Sequence, residues 1–148
     1  MALADSHLVT TLRRLAWLAG LAGMSVGVLV LWGWQVDNDY LKSIAHPGQV
    51  ATNPLMAVEF VLVGLALLLT SAEKAGSRRR RLVYAFAGLA VLLALTKLVG
   101  YQYPDLWARG IDERLFYFEL GSNRMSPNAA FSILLLSLAV LLLDVRVR

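Results

Sequence analysis

Apolar residues in this chain neither alternate nor recur at the spacing of a half-buried helix; they run on in four long stretches, 15–34, 54–71, 82–101 and 127–143. A helix that is apolar on every face lies in a protein core or in lipid. About 20 residues at 1.5 Å each cross roughly 30 Å of hydrocarbon. Each stretch therefore predicts a transmembrane helix, with the second and fourth near the short limit. Asn53 precedes Pro54 and Ser126 precedes Pro127. A capping side chain followed by a proline that needs no helical donor predicts sharp starts for both.

Composition bears on the solvent. With 58% hydrophobic and 16% charged residues and a mean hydropathy of +0.62, the 148-residue chain suits a bilayer better than water. Its length predicts one domain, 1–148. The absence of cysteine excludes disulfides and thiolate metal sites. The net charge of +4 comes from clusters and not from a continuous basic surface, so nucleic acid is not an expected partner. Arg13 and Arg14 precede the first apolar stretch as in a signal peptide, but the stretch is too long and no small-residue cleavage site follows, which predicts a retained helix.

The clusters set direction. Arg13 and Arg14, Arg78 to Arg81, and Arg146 and Arg148 all fall on one side of a four-span arrangement, and basic connections stay in the cytoplasm. Both termini are therefore expected there, with the mixed-charge segments 35–53 and 102–126 outside. Trp32, Trp34, Tyr101, Tyr103 and Trp107 fall where aromatic side chains anchor the outer interface. The Arg78 to Arg81 run also attracts anionic lipid headgroups. The expected fold is an all-α, four-helix transmembrane bundle surrounded by membrane lipid.

The two halves match. Gly33-Trp34-Gln35 answers Gly100-Tyr101-Gln102, and 54–69 aligns with 127–142, with Pro54/Pro127, Ala57/Ala130, Leu62/Leu135, Leu65/Leu138 and Ala66/Ala139 identical. This predicts two repeated helical hairpins running in the same direction, related by an axis along the membrane normal. Ala19, Gly23 and Gly27, and Ala87, Ala90 and Ala94, offer small-residue stripes for close helix contact.

Gly110-Ile111-Asp112-Glu113-Arg114-Leu115-Phe116, then Arg124-Met125-Ser126-Pro127-Asn128-Ala129-Ala130 and a Leu-rich helix, resembles the N-terminal membrane regions of bacterial receptors. In those, a similar unit precedes PAS, histidine kinase or diguanylate cyclase modules. The second half has Ala129 where the family pattern usually has threonine, and the first half keeps only Pro54 and Ala57 of it. The resemblance implies a sensory input domain in the bacterial inner membrane, acting as a homodimer on a cytoplasmic signalling module. No such module follows in this sequence, so the expectation is a fragment of a longer receptor or a free-standing relative.

A carboxylate in hydrocarbon costs roughly 2.5–3.5 kcal/mol at mid-membrane, so Glu59 needs a partner or water. Lys97, at a similar depth, is the simplest partner. Alternatively, Glu59 responds to protons or ligand inside the bundle, as a small ion-coupled transporter would require. Trp34, Tyr101 and Asn128, together with Glu59 and Lys97, are the candidate lining of a pocket for a small apolar ligand, roofed by Tyr40, Phe116, Tyr117 and Phe118. A third possibility is a structural subunit whose glycine ladder binds another membrane protein. The segments 37–45 and 111–120 each suit a short surface helix. His7 and His46 fall on opposite sides and cannot share one haem; a soft-metal set of His46, Met56 and Met125 is conceivable, although methionines near helix starts usually only pack. No nucleophile with its base, phosphate loop or carboxylate pair appears, which predicts no enzyme activity, and the sequence leaves any cofactor unknown.

Overall fold

A computed structural model describes residues 2–44, 50–71, 76–103, 123 and 125–145, without the side chains of 2–6, 144 and 145. Among these residues the regular structure is entirely helical: α1 (Ala2–Gln35), α2 (Asp39–Lys42), α3 (Pro54–Ser71), α4 (Ser77–Gln102) and α5 (Pro127–Val145). Three of them, α1, α3 and α4, are long and apolar enough to cross a membrane. The fourth expected span, α5, forms where its proline start predicts but is shorter in apolar length, Pro127–Leu143.

Two helices begin earlier than their apolar runs. α1 starts at Ala2 and not Leu15, and α4 at Ser77 and not Leu82, so Arg13, Arg14 and Arg78 to Arg81 are helical. An apolar run marks contact with hydrocarbon, whereas arginine is itself a good helix former. Arg80 strengthens its own turn: Nη2 donates to Tyr84 Oη at 2.9 Å, and the guanidinium carbon sits 5.4 Å from the ring centroid.

α3 is the hub. It packs against α1, α4 and α5, while α4 also packs on α5 and α1 carries α2. Hence α3 is buried on several faces at once, through Leu55, Ala57, Leu62, Val63, Gly64 and Ala66. Leu62 and Val63 form one core with Ala90, Ala94, Met125, Ala130 and Ile133. Ala66 joins Val83, Ala87 and Val140 in another. The alanine stripe of α4 thus faces inward, as its spacing predicts.

α1 meets α3 backbone to backbone. A Cβ built on Gly64 would lie 2.7 Å from Gly20 O, and one on Gly27 would lie 2.5 Å from Ala57 O. One antiparallel register accounts for both approaches. The expected ladder holds at Gly27, but Gly20 and not Ala19 makes the other close contact: Gly23 is looser, with Phe60 O at 3.9 Å from its built Cβ, and Ala19 is exposed. The same register sets Ser71, the end of α3, opposite Arg13. The turns of α1 before that point project past α3, and Leu8, Val9 and Leu12 on them are exposed.

Close approach in lipid depends on packing, since no water is released between helices. Gly64→Ala is expected to lower stability by about 1–3 kcal/mol through overpacking against backbone. Gly88→Ala, with nothing within 4 Å, should not. Unfolding of each variant in mixed micelles, followed by circular dichroism, compares them.

Candidate functional site

The polar segment after α1 folds back on the helix end. Asn38 N–H donates to Gly33 O at 2.8 Å while Asp37 takes a left-handed φ of 52°, the six-residue turn that closes many helices and that aspartate tolerates better than most side chains. Asn38 Oδ1 then accepts from the N–H groups of Tyr40 and Leu41 at 3.0 and 3.2 Å, starting α2. This short helix occupies part of the segment expected to be helical. It lies directly on Gly33, where an added Cβ would be 2.6 Å from Leu41 Cβ and 2.8 Å from Lys42 N. Only glycine permits that seat.

Lys42 is the centre of this cap. It is 7% exposed, pairs with Asp37 and with Asp39 at 3.2 Å, and holds its Nζ 5.1 Å from the centroid of the Trp34 ring. Trp34 Nε1 donates to Thr52 O at 2.8 Å, and Thr52 N donates to Lys42 O at 2.8 Å. The chain entering and the chain leaving the cap are thereby joined through the Trp34 indole and the Lys42 carbonyl, while the Lys42 ammonium holds the entering side together. The hydrogen bond from Lys42, with its charge, holds the Asp37 carboxyl below the usual carboxylate range. The bond to Asp37 raises Lys42, against the opposing effect of burial.

Asn53 links the cap to the second half. Its Oδ1 accepts from Leu55 N at 2.8 Å, capping α3, and its Nδ2 donates to Asn123 O at 2.7 Å. Three residues later Ser126 Oγ accepts from Ala129 N at 3.2 Å, capping α5. Asn53 is 4% exposed, so its amide makes these bonds away from bulk water.

Glu59 is wholly buried. Helical spacing sets it with Leu55, Leu62 and Ala66 on the side of α3 opposite Ala57 and Gly64, toward α4 and α5. Lys97, half-buried, continues the inward stripe Val83, Ala87, Ala90 and Ala94 of α4. Glu59 is about one turn from Leu62, and Lys97 about one turn from Ala94, both toward the capped end. Trp34 belongs to the cap. Tyr101 is 41% exposed at the end of the Lys97 stripe, and Asn128 is exposed on α5. Tyr40 is also exposed, while Phe116, Tyr117, Phe118, His46 and the segment 111–120 lie outside the described residues. Met125 is buried in the core that joins α3, α4 and α5, and Met56 packs against it. Among the described residues no group of three or more His, Cys, Asp or Glu side chains is placed to hold a metal ion.

Sequence reading singled out Trp34 and Glu59, and Asn53 as the cap of α3, but missed Asp37, Lys42, Thr52 and the bond from Asn53 to Asn123. The signal for part of the cap is local: Asn38 and Asp39 ahead of Lys42 spell a capped turn with an i,i+3 ion pair. The bonds of Trp34 to Thr52 and of Asn53 to Asn123 have no such signature.

Compared with protein-family models, with curated proteins and with solved structures, the chain matches none.

The cap has a defined pH window. A depressed Asp37 contributes stability above its unfolded pKa, and this is lost as pH falls through the folded value; a raised Lys42 contributes below its unfolded pKa, and this is lost as pH rises through the folded value. The environment of Trp34 should therefore stay constant between about pH 5 and pH 9 and loosen at either extreme. Indole fluorescence of the wild type minus that of Trp34→Phe measures it. In Asp37→Asn the acid limb of that difference should be strongly reduced.

Proposed function

We propose that the chain is a signal-input domain of a bacterial inner-membrane receptor, spanning the bilayer four times with both termini cytoplasmic, and passing helix movement from an outer polar cap to a cytoplasmic output. The reading adds no catalytic chemistry. It joins the sequence resemblance and the duplicated hairpin to one observation, the double role of Asn53. A single buried amide caps α3 and grips the backbone three residues before the cap of α5. Any stimulus that moves the cap acts on the starts of two helices at once, and in this topology both helices end on the cytoplasmic side. A switch requires that such a shared contact have two arrangements, and the proposal is that this one does.

A chimera carrying residues 1–148 ahead of the cytoplasmic part of a histidine kinase tests it. Asn53→Ala should shift basal kinase output several-fold while membrane level and helicity stay unchanged, since losing a buried hydrogen bond costs about 1–3 kcal/mol. Equal output from both chimeras would defeat the proposal.

One further reading is favoured by the burial of Glu59, a carboxylate held in the bundle interior as in ion-coupled carriers. It predicts proton or cation flux into vesicles reconstituted with the protein, abolished by Glu59→Gln. Equal leak from empty and loaded vesicles removes it.

A further inference from the structure

The face of α3 that holds α4 has a counterpart on α5 on which none of the described elements packs. On α3 the face comprises Leu55, Glu59, Leu62 and Ala66, all buried. The alignment that sets Pro54 on Pro127 carries these onto Asn128, Ser132, Leu135 and Ala139, two of them identical, and all four are exposed, Leu135 by 52%. On both helices the face lies opposite the small-residue seam of its own hairpin. That seam is Ala57 and Gly64 in α3; the corresponding Ala130 and Ser137 of α5 are wholly buried.

The helix that fills the face on α3 is the first helix of the next hairpin. By the same alignment, with Gly33 on Gly100, α1 corresponds to α4, and α1 packs chiefly on α3 and α2. Each copy thus carries one unfilled receiving face, on α5, and one unused counterpart of the helix that fills it, α1. Polar side chains add a second argument. Asn128 and Ser132 stand on a face that would otherwise meet hydrocarbon near the helix start, where amide and hydroxyl groups gain from a neighbouring helix.

We propose that the outward face of α5 receives α1 of a second copy of this chain, antiparallel, and that two such contacts related by a two-fold axis close a dimer. Two such contacts related by a two-fold make one isologous interface with no open end, so assembly stops at two. The α3·α4 contact also supplies the register. Phe86 of α4 packs against the cluster containing Ala66; the equivalent residues are Ala19, which is exposed, and Ala139 of the other copy. The contact rests on the membrane-embedded part of the function proposed above and not on its sensory part.

The chain has no cysteine, so introduced thiols report without background. Two differently tagged chains, Ala19→Cys and Ala139→Cys, are co-expressed and oxidised in native membranes. A disulfide product bearing both tags is expected, and it should be absent when Leu92→Cys, 60% exposed on α4, replaces Ala19→Cys. Equal product from the two mixtures, or preferential linkage of Ala139→Cys to itself, overturns the contact. Ala139→Trp, which crowds the face without touching the core of its own chain, should reduce dimers counted by single-molecule photobleaching about tenfold with helicity retained; undiminished dimers overturn the proposal. A reporter fused after Arg148 separates the two levels. Found outside the cell, it overturns the membrane arrangement as well; found in the cytoplasm without the link, it leaves that arrangement standing and sinks the dimer contact alone.

Discussion

Backbone contact between α1 and α3 is the constraint from which the rest of the structure follows. At Gly20, Gly27 and Gly64 the helices come so near that carbonyl oxygens occupy the space a side chain would need. In hydrocarbon such closeness is the main source of helix adhesion, because a leucine against leucine is no better off than a leucine against lipid. The approach commits one face of α3 to α1. Its remaining faces must then carry everything else, which explains why α3 alone touches α1, α4 and α5.

That arrangement gives polar residues distinct tasks by depth. Glu59 and Lys97 lie on inward stripes of neighbouring helices, about a turn from the same core cluster. At the helix ends, Asn53, Ser126 and Asn38 serve backbone donors that no helical carbonyl can reach. Lys42 has a third role, since its charge is balanced by two carboxylates and an aromatic face while its stem covers the end of α1.

Much of the fold was legible in the sequence because apolar runs and proline starts are local. The runs place α1, α3, α4 and α5, Pro54 and Pro127 fix two starts to the residue, and the alanine spacing in α4 names its inward face. Helix starts inside arginine runs were not legible, since hydropathy follows solvent and not hydrogen bonding. On α1 the contact at Gly27 was legible, whereas Gly20 in place of Ala19 was not, because both are small and only the partner helix decides between them. The cap was the least legible part. Its key bonds join residues 18 and 70 positions apart, and nothing local about Trp34 or Asn53 specifies Thr52 or Asn123 as the partner.

The unequal lengths of α1 and α3 have a mechanical consequence. α1 has 34 residues, about 51 Å, and α3 has 18, about 27 Å. Held at one end by the seat of α2 on Gly33 and along its middle by the glycine contacts, α1 continues past its neighbour as a lever. A few degrees of tilt about Gly20 would sweep its projecting arm sideways by an ångström or more, so small changes at the glycine contact are magnified at the amino end.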